Sequence, residues 1–161
     1  MGTEKLEEFI NGVFDKAKTV RMDIDTTRRK NAHAKIINDF KDEKYNILVG
    51  TQMIAKGLDF PKVTLVVVIN GDASLNIPDF RSAERTYECL NQVSGRAGRA
   101  DLPGEVIIQG FNMGHYSIVS AKENDYITFY NEEMKIRKVL KYPPYYNLCL
   151  IIHYYKHLKV N

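Results

Sequence analysis

The chain has 161 residues, of which 44% are hydrophobic and 27% are charged, and its formal net charge is +3 at pH 7. The length suits about one domain, and this composition excludes both a membrane protein and an intrinsically disordered one. No apolar run reaches the roughly 18–20 residues of a membrane span. The acidic, amphipathic N-terminus MGTEKLEEFINGVF is unlike a signal peptide, so we expect a cytoplasmic protein without membrane contact. The mild positive charge permits nucleic-acid binding without requiring it.

The first predicted elements are a helix, a strand and a second helix. Apolar residues recur at helical spacing over residues 3–17, with Thr3 as the expected N-cap. TVRMD at 19–23 is short enough to be a strand, and Thr26 or Thr27 is expected to cap the second helix. The apolar face of that helix is formed by Ala32, Ile36, Ile37 and Phe40.

Strands and helices continue to alternate further along the chain. NILVG at 46–50 predicts a strand, and VTLVVVIN at 63–70 predicts one covered on both faces, because it is apolar without alternation. A long helix is expected over 78–95 with Asp79 near its start, and EVIIQG at 105–110 predicts another strand. This alternation predicts the α/β class, a RecA-like, mostly parallel sheet with helices on both faces.

The C-terminal part of the chain predicts a domain boundary. Helical patterns cover about 115–141 and end at YPPYYN (142–147), because Pro143 and Pro144 cannot continue a helix. LCLIIHYY at 148–155 is expected to be a strand. We therefore expect one domain over 1–141 and the start of another over 142–161, so that the sequence would be a piece of a longer protein.

Two segments fall where the ligands of a parallel sheet collect, at the carboxyl ends of strands. TQMIAKGLDF at 51–60 follows one strand and offers polar side chains and a glycine for phosphate and ribose contacts. These residues are Thr51, Gln52, Gly57 and Asp59. QVSGRAGR at 92–99 ends a helix, and its Arg96 and Arg99 are spaced to address one polyphosphate with two guanidinium groups.

Each segment alone has a plainer interpretation. A GRxGR sequence is commonly a glycine-ended helix with solvated arginines, and Gly-Leu-Asp is ordinary turn chemistry. Met53 and Ile54 are expected to belong to the core. The occurrence of both segments at sheet ends, however, favours a functional site over either plainer alternative.

The same two segments carry a family resemblance. ILVGTQMIAKGLDFPKVTLV and QVSGRAGR resemble motifs V and VI of the superfamily 2 helicases. GTEKLEE, RMDIDTTRRK, LNIPDFRSAERTYECLNQVSGRAGR, PGEVIIQ and YPPYYNLCLI, in that order, are similar to the bacterial primosomal replication-restart helicases. The resemblance covers nearly the whole chain except the closing HLKVN.

The resemblance implies a second RecA-like motor lobe, in an ATP-driven, 3′-to-5′ DNA helicase that binds ATP between two lobes. Motif VI then makes Arg96 and Arg99 arginine fingers, with Gln92 orienting the network beside them. In motif V, Asp59 would accept a hydrogen bond from the ribose and Gly57 would lie near the phosphates. The DNA backbone would be contacted by Thr51 and Gln52.

The resemblance also implies what must come from elsewhere. The chain contains neither a GxxxxGK[ST] phosphate loop nor a DExH box, so ATP with Mg²⁺ would be bound mainly by the first lobe. The zinc-binding cysteines of the family are absent, and Cys89 and Cys149 have no CxxC spacing. We therefore expect no metal site here, and neither ATP turnover nor zinc binding by this chain alone.

The partners that the resemblance implies are forked and single-stranded DNA, the first lobe, primosome proteins and single-strand-binding proteins, with a cytoplasmic, nucleoid-associated location. The alternative is a non-catalytic module, derived from a helicase lobe, that holds only DNA or a primosome partner.

Other candidates are weaker. Asp23 and Asp25 have carboxylate-pair spacing, although such a pair more often ends a strand than binds a metal. The basic residues at 28–30 could contact DNA, but we favour a solvated helix end. The 72–85 loop could contact DNA or the opposing lobe. The five tyrosines between 142 and 155 could stack on bases, but we favour packing against a following domain.

Overall fold

A computed structural model describes residues 2–27, 31–51, 60–95 and 103–151 of the chain. Among these residues, the strands pair in parallel and helices connect or flank them. The α/β class predicted from the alternation of elements is therefore confirmed. Within the same ranges, no helix combines the length and apolarity needed to cross a bilayer.

The N-terminal region contains three helices and two strands. Its elements are α1 (Thr3–Val13), β1 (Thr19–Met22), α2 (Ile24–Thr27), α3 (Ala32–Lys41) and β2 (Ile47–Gly50). β1 and β2 are parallel neighbours, with Thr19 opposite Ile47 and Met22 opposite Gly50. Because parallel neighbours need a crossover connection, α2 and α3 lie between them in the chain, and α1 packs against both strands.

Three predictions about helix ends in this region are wrong. α1 ends at Val13, short of residue 17, and its N-cap is Gly2. The Thr3 hydroxyl instead donates to Asp23 Oδ2 at 2.6 Å. Thr26 and Thr27 lie inside α2, because the side chain of Asp23 accepts the Thr26 N–H at 2.9 Å and so caps that helix.

The C-terminal region contains a second parallel strand pair, a 3₁₀ turn and three α-helices. Its elements are β3 (Leu65–Val68), a 3₁₀ turn (Ala73–Asn76), α4 (Ser82–Ser94), β4 (Glu105–Ile108), α5 (Tyr116–Glu123) and α6 (Tyr126–Val139). β3 pairs with β4 from Leu65–Glu105 to Val68–Ile108. α4 starts three residues after Asp79, whose carboxylate accepts the Arg81 N–H at 2.9 Å in the turn before the helix.

The C-terminal region also holds the principal core. Its fully buried members come from α4, α5 and α6, and Val68 and Ile108 of the strand pair pack against them. The core residues are Tyr87, Leu90, Ile118, Ala121 and Phe129. The rings of Tyr87 and Phe129 stack with their centroids 4.2 Å apart. The small side chain of Ala121 on α5 belongs to the same buried cluster as Tyr87 and Leu90 of α4, which lets these two helices approach closely.

Two strand predictions differ from the structure. β3 is not covered on both faces, since Leu65 and Val67 are each 50% exposed. The physical reason is that the core contacts of this pair lie on the other face, which carries Val68. The strand predicted at 148–155 is wrong over 148–151, which have no regular structure, and its remaining residues lie outside the described ranges.

Candidate functional site at the carboxyl ends of the strands

The first candidate edge lies where β1 and β2 end. Met22 pairs with Gly50, so Asp23 and Thr51 follow at the same carboxyl edge. Thr51 is exposed, as a residue that contacts a ligand or DNA must be. Asp23 is buried, and the two residues are therefore available for different tasks.

Asp23 connects three elements. Its carboxylate accepts hydrogen bonds from the Thr3 hydroxyl of α1 and the Thr26 N–H of α2, and it pairs with Arg21 Nε at 3.0 Å. The Thr3 hydroxyl is the main cause that lowers the pKa of Asp23 below its ordinary value. These contacts make Asp23 a structural residue of the edge. Within the described ranges, no group of three or more potential metal ligands forms around it or elsewhere.

The second candidate edge lies where β3 and β4 end. Asp72 connects the segments that follow these two strands. Asp72 is buried, and its Oδ2 accepts the backbone N–H groups of Phe111 and Asn112, both at 2.8 Å. These donors, the Asn112 N–H first, lower the pKa of the Asp72 carboxyl. A Cβ at Gly110 would lie 2.7 Å from Asp72 Oδ1, so this close approach requires glycine. Asp72, predicted within a loop that contacts DNA or another lobe, thus fixes that loop to the end of β4.

The end of α4 presents Gln92. One face of α4 is buried through Ala83, Thr86, Tyr87 and Leu90, at spacings of three and four residues. Gln92 lies in the last helical turn and is exposed, and Gly95 follows as the C-cap. Gln92 is therefore held by a well-packed helix while its side chain remains available to a ligand.

The other predicted site residues cannot be placed. Gln52, Gly57 and Asp59 of motif V, and Arg96 and Arg99 of motif VI, lie outside the described residues. The basic cluster at 28–30 does too. Thr51 and Gln92 are the described members of the predicted site, and each flanks one of these segments.

A buried polar network around Arg137 was not predicted from the sequence. Arg137 Nε donates to Glu133 at 2.7 Å within α6, and its Nη2 donates to Glu84 of α4 at 2.8 Å. The other carboxylate oxygen of Glu133 accepts the Tyr116 hydroxyl of α5. Burial is the main cause that raises the pKa of Tyr116, so that phenol stays protonated as a donor. The network joins α4, α5 and α6. The four-residue spacing of Glu133 and Arg137 was its one sequence signal.

Arg137 also fixes the turn that follows α6. Its Nη1 donates to the Pro143 carbonyl at 3.3 Å, and its own carbonyl accepts the Tyr142 N–H at 2.8 Å. The Tyr142 ring stacks on the Phe80 ring, with 5.5 Å between their centroids, and the Arg137 guanidinium also lies over the Phe80 ring. The turn beyond residue 141 is thus attached to the helices that precede it.

Comparison with known proteins shows which family the chain resembles. Residues 2–101 match the model of the helicase conserved C-terminal domain. The chain is 56% identical over 150 residues to "Replication restart protein PriA" of Bacillus subtilis, covering 93% of this chain and 19% of that protein. The protein of the same name from Chlamydia pneumoniae is 46% identical over 94% of this chain, and that from Synechocystis 45% over 93%, covering 20% and 18% of those proteins.

The chain thus spans about a fifth of the length of these relatives. The family model covers well over half of the chain, including β1, β2, both predicted motif segments and the whole of α4. The chain belongs to the helicase conserved C-terminal domain family.

Proposed function

We propose that this chain is the second motor lobe of an ATP-dependent DNA helicase that acts in replication restart. One observation carries the proposal: residues 2–101 match the helicase C-terminal domain, and the similar proteins named for replication restart share 45–56% identity over nearly the whole chain. The exposed Thr51 and Gln92, at the ends of β2 and α4, support it, because they border the two motif segments.

In this proposal the catalytic contribution of the chain is electrostatic. Arg96 and Arg99 reach across the cleft to the phosphates, and Arg99 meets the charge that grows on the transferring phosphoryl group. Gln92 orients that network. Asp59 accepts a hydrogen bond from the ribose, and Gly57 permits close approach to the phosphates.

In the same proposal, DNA is bound at the first edge, where β1 and β2 end. Thr51 and Gln52 contact the DNA backbone, so that the nucleotide state and the hold on the strand are linked through motif V. The motor moves 3′ to 5′. A first RecA-like lobe binds most of the ATP and its Mg²⁺, and zinc is bound elsewhere in the longer protein. The chain alone therefore turns over no ATP.

The remaining parts of the proposal concern organisation and partners. Residues 1–141 form the lobe, and 142–161 begin a further domain. The partners are forked and single-stranded DNA, the first lobe, primosome proteins and single-strand-binding proteins, in the bacterial cytoplasm at the nucleoid.

The test is the ATPase activity stimulated by single-stranded DNA, measured in a protein that carries this chain together with a first lobe. Arg99→Ala should lower kcat by about 10³-fold or more, because it removes a group that acts on the transition state, while DNA affinity stays within a few-fold. Lys122→Ala, at the exposed end of α5, is the control and should leave both quantities unchanged.

The same experiment separates the alternative, a module that only binds DNA or a primosome partner. Such a module would keep its ATPase rate after Arg99→Ala and lose only salt-sensitive DNA affinity. That outcome would replace the motor proposal.

A further inference from the structure

A groove on α6 combines aromatic and basic side chains and is separate from both strand edges. It has a volume of about 370 Å³ and is lined by Tyr130, Asn131, Met134, Lys135, Lys138 and Tyr145. Tyr130, Met134 and Lys138 follow one another at four-residue spacing and so share one face of the helix. The core face of α6 is a different one, which carries Phe129, Glu133 and Arg137.

The two tyrosines of this groove are available for contact. Tyr130 and Tyr145 are each 47% exposed. Tyr130 sits on a regular helix, and Tyr145 sits in the turn after α6 that Arg137 fixes through the Pro143 carbonyl. The Tyr145 N–H donates to the Tyr142 carbonyl at 3.1 Å, which orders the turn further. The backbone that carries both tyrosines is therefore ordered before any ligand arrives, which reduces the entropy lost on binding.

The charges of the groove favour an anionic ligand. Lys135 pairs with Glu132 at 2.6 Å, so its charge is largely balanced. In the described part of the chain, no carboxylate lies within ion-pair distance of Lys138, which therefore adds an uncompensated positive charge. The nearest buried carboxylate on the helix, Glu133, already pairs with Arg137.

We propose that this groove binds single-stranded DNA, with bases stacked on Tyr130 and Tyr145 and a backbone phosphate held by Lys138. Aromatic rings beside a cation are the combination by which proteins bind single strands without reading their sequence. The proposal rests on the proposed function only in the choice of DNA, and it adds a contact surface outside motif V. For Tyr145 it replaces the expectation of packing against a following domain, because that ring is half exposed beside Tyr130 and Lys138.

The experiment measures the affinity of a fluorescently labelled oligothymidylate for the two-lobed protein, as a function of salt. Tyr130→Ala and Tyr145→Ala should each weaken binding about 5-fold or more, while the slope of log K against log salt stays unchanged. Tyr130→Phe keeps the ring and should bind as the unsubstituted protein does. Lys138→Ala should reduce the magnitude of the salt slope by about 0.7, because one phosphate contact is lost.

Two matched controls sit outside the groove. Tyr146→Ala removes a tyrosine of similar exposure (49%) next to Tyr145, and Lys122→Ala removes an exposed lysine of α5. Neither should change the affinity or the slope. Because all the substituted side chains are substantially exposed, the melting temperature should stay within a few degrees, which checks that folding is intact.

Binding indistinguishable from the unsubstituted protein in Tyr130→Ala, Tyr145→Ala and Lys138→Ala would overturn the proposal. If Arg99→Ala still abolishes DNA-stimulated turnover in that case, the motor function stands and the groove alone is rejected. Absence of any single-strand binding by the two-lobed protein would overturn both.

Discussion

The long helices of the C-terminal region are more deeply buried than those of the N-terminal region. In the C-terminal region, α4, α5 and α6 share a continuous buried core and a polar network around Arg137. In the N-terminal region, α1 and α3 contain no fully buried residue, and the apolar residues Phe9, Val13 and Phe14 of α1 and its end are more than half exposed. The C-terminal region is therefore the better packed of the two, and the N-terminal region relies more on the polar contacts of Asp23.

The contrast follows from the sequence of the helices. α6 has aromatic and ionic side chains on its buried face, and α5 offers small ones that allow close approach. α1 has a clear apolar stripe, but a two-stranded sheet gives it only part of a surface to cover. The apolar pattern of a helix therefore predicts which face is turned to the core, but not how much of that face is buried.

The largest effect is expected from breaking the network of the C-terminal region. Arg137→Met leaves Glu133 buried without its cation and removes the ion pair between α6 and Glu84 of α4, so the free energy of unfolding should fall by about 3–5 kcal/mol. Urea denaturation followed by circular dichroism measures the change. Glu133→Gln combined with Arg137→Met should recover part of the loss, because no charge is then stranded. A loss under about 1 kcal/mol in the single variant would mean that water reaches the pair.

A pair of apolar truncations tests the two regions directly. Leu90 is 1% exposed, and Leu90→Ala should cost about 2–5 kcal/mol through lost burial and a cavity. Phe9 is 62% exposed, and Phe9→Ala should change the free energy of unfolding by no more than about 0.5 kcal/mol. The same denaturation experiment serves for both variants. Equal costs would show that the two regions are equally well packed and would remove the contrast.

Sequence patterns predicted where the elements lie better than where they begin. The strands at 19–22, 47–50, 65–68 and 105–108 all fall inside predicted segments, because short β-rich runs between turn residues are a local signal. The caps were wrong because Asp23 caps α2 through its side chain, while Thr3 donates to that same carboxylate instead of capping α1. The Thr3–Asp23 contact joins residues twenty apart in the sequence, and such a contact leaves no trace in local spacing.

The roles of the candidate site residues remain predictions, and the structure describes the positions of two of them. Thr51 and Gln92 stand at the strand and helix ends where motif spacing and parallel topology put them. Asp72 and Arg137 could not be assigned from sequence, since their partners Phe111 and Glu84 are 39 and 53 residues away. The exposed face of β3 was also missed, because an unbroken apolar run does not reveal which side lacks a covering helix.

The smallest expected effects are on the pH dependence of the melting temperature, and they involve one carboxylate in each region. The folded-state pKa values of Asp23 and Asp72 are both lowered, by the Thr3 hydroxyl first in one case and the Asn112 N–H first in the other. A lowered pKa stabilises the fold above the ordinary carboxyl value of about 3.8, and this stability is lost as the pH falls from there through the folded-state value. Melting temperatures should therefore decline as the pH falls below the ordinary carboxyl value of about 3.8. Asp72→Asn and Asp23→Asn should each make that decline shallower.

Amide hydrogen exchange then locates each effect. Asp72→Asn should speed exchange at Phe111 and Asn112, whose N–H groups it accepts, and leave the amides of β1 protected. Asp23→Asn should do the opposite, exposing Thr26 and the edge of β1 while α4 stays protected. The regions open separately if each substitution acts only locally. This is the expected result, because the buried cluster of α4, α5 and α6 contains no residue of the N-terminal region. Loss of protection in both regions from either substitution would mean that they unfold as one unit, and the weaker packing of α1 would then lower the stability of the whole chain.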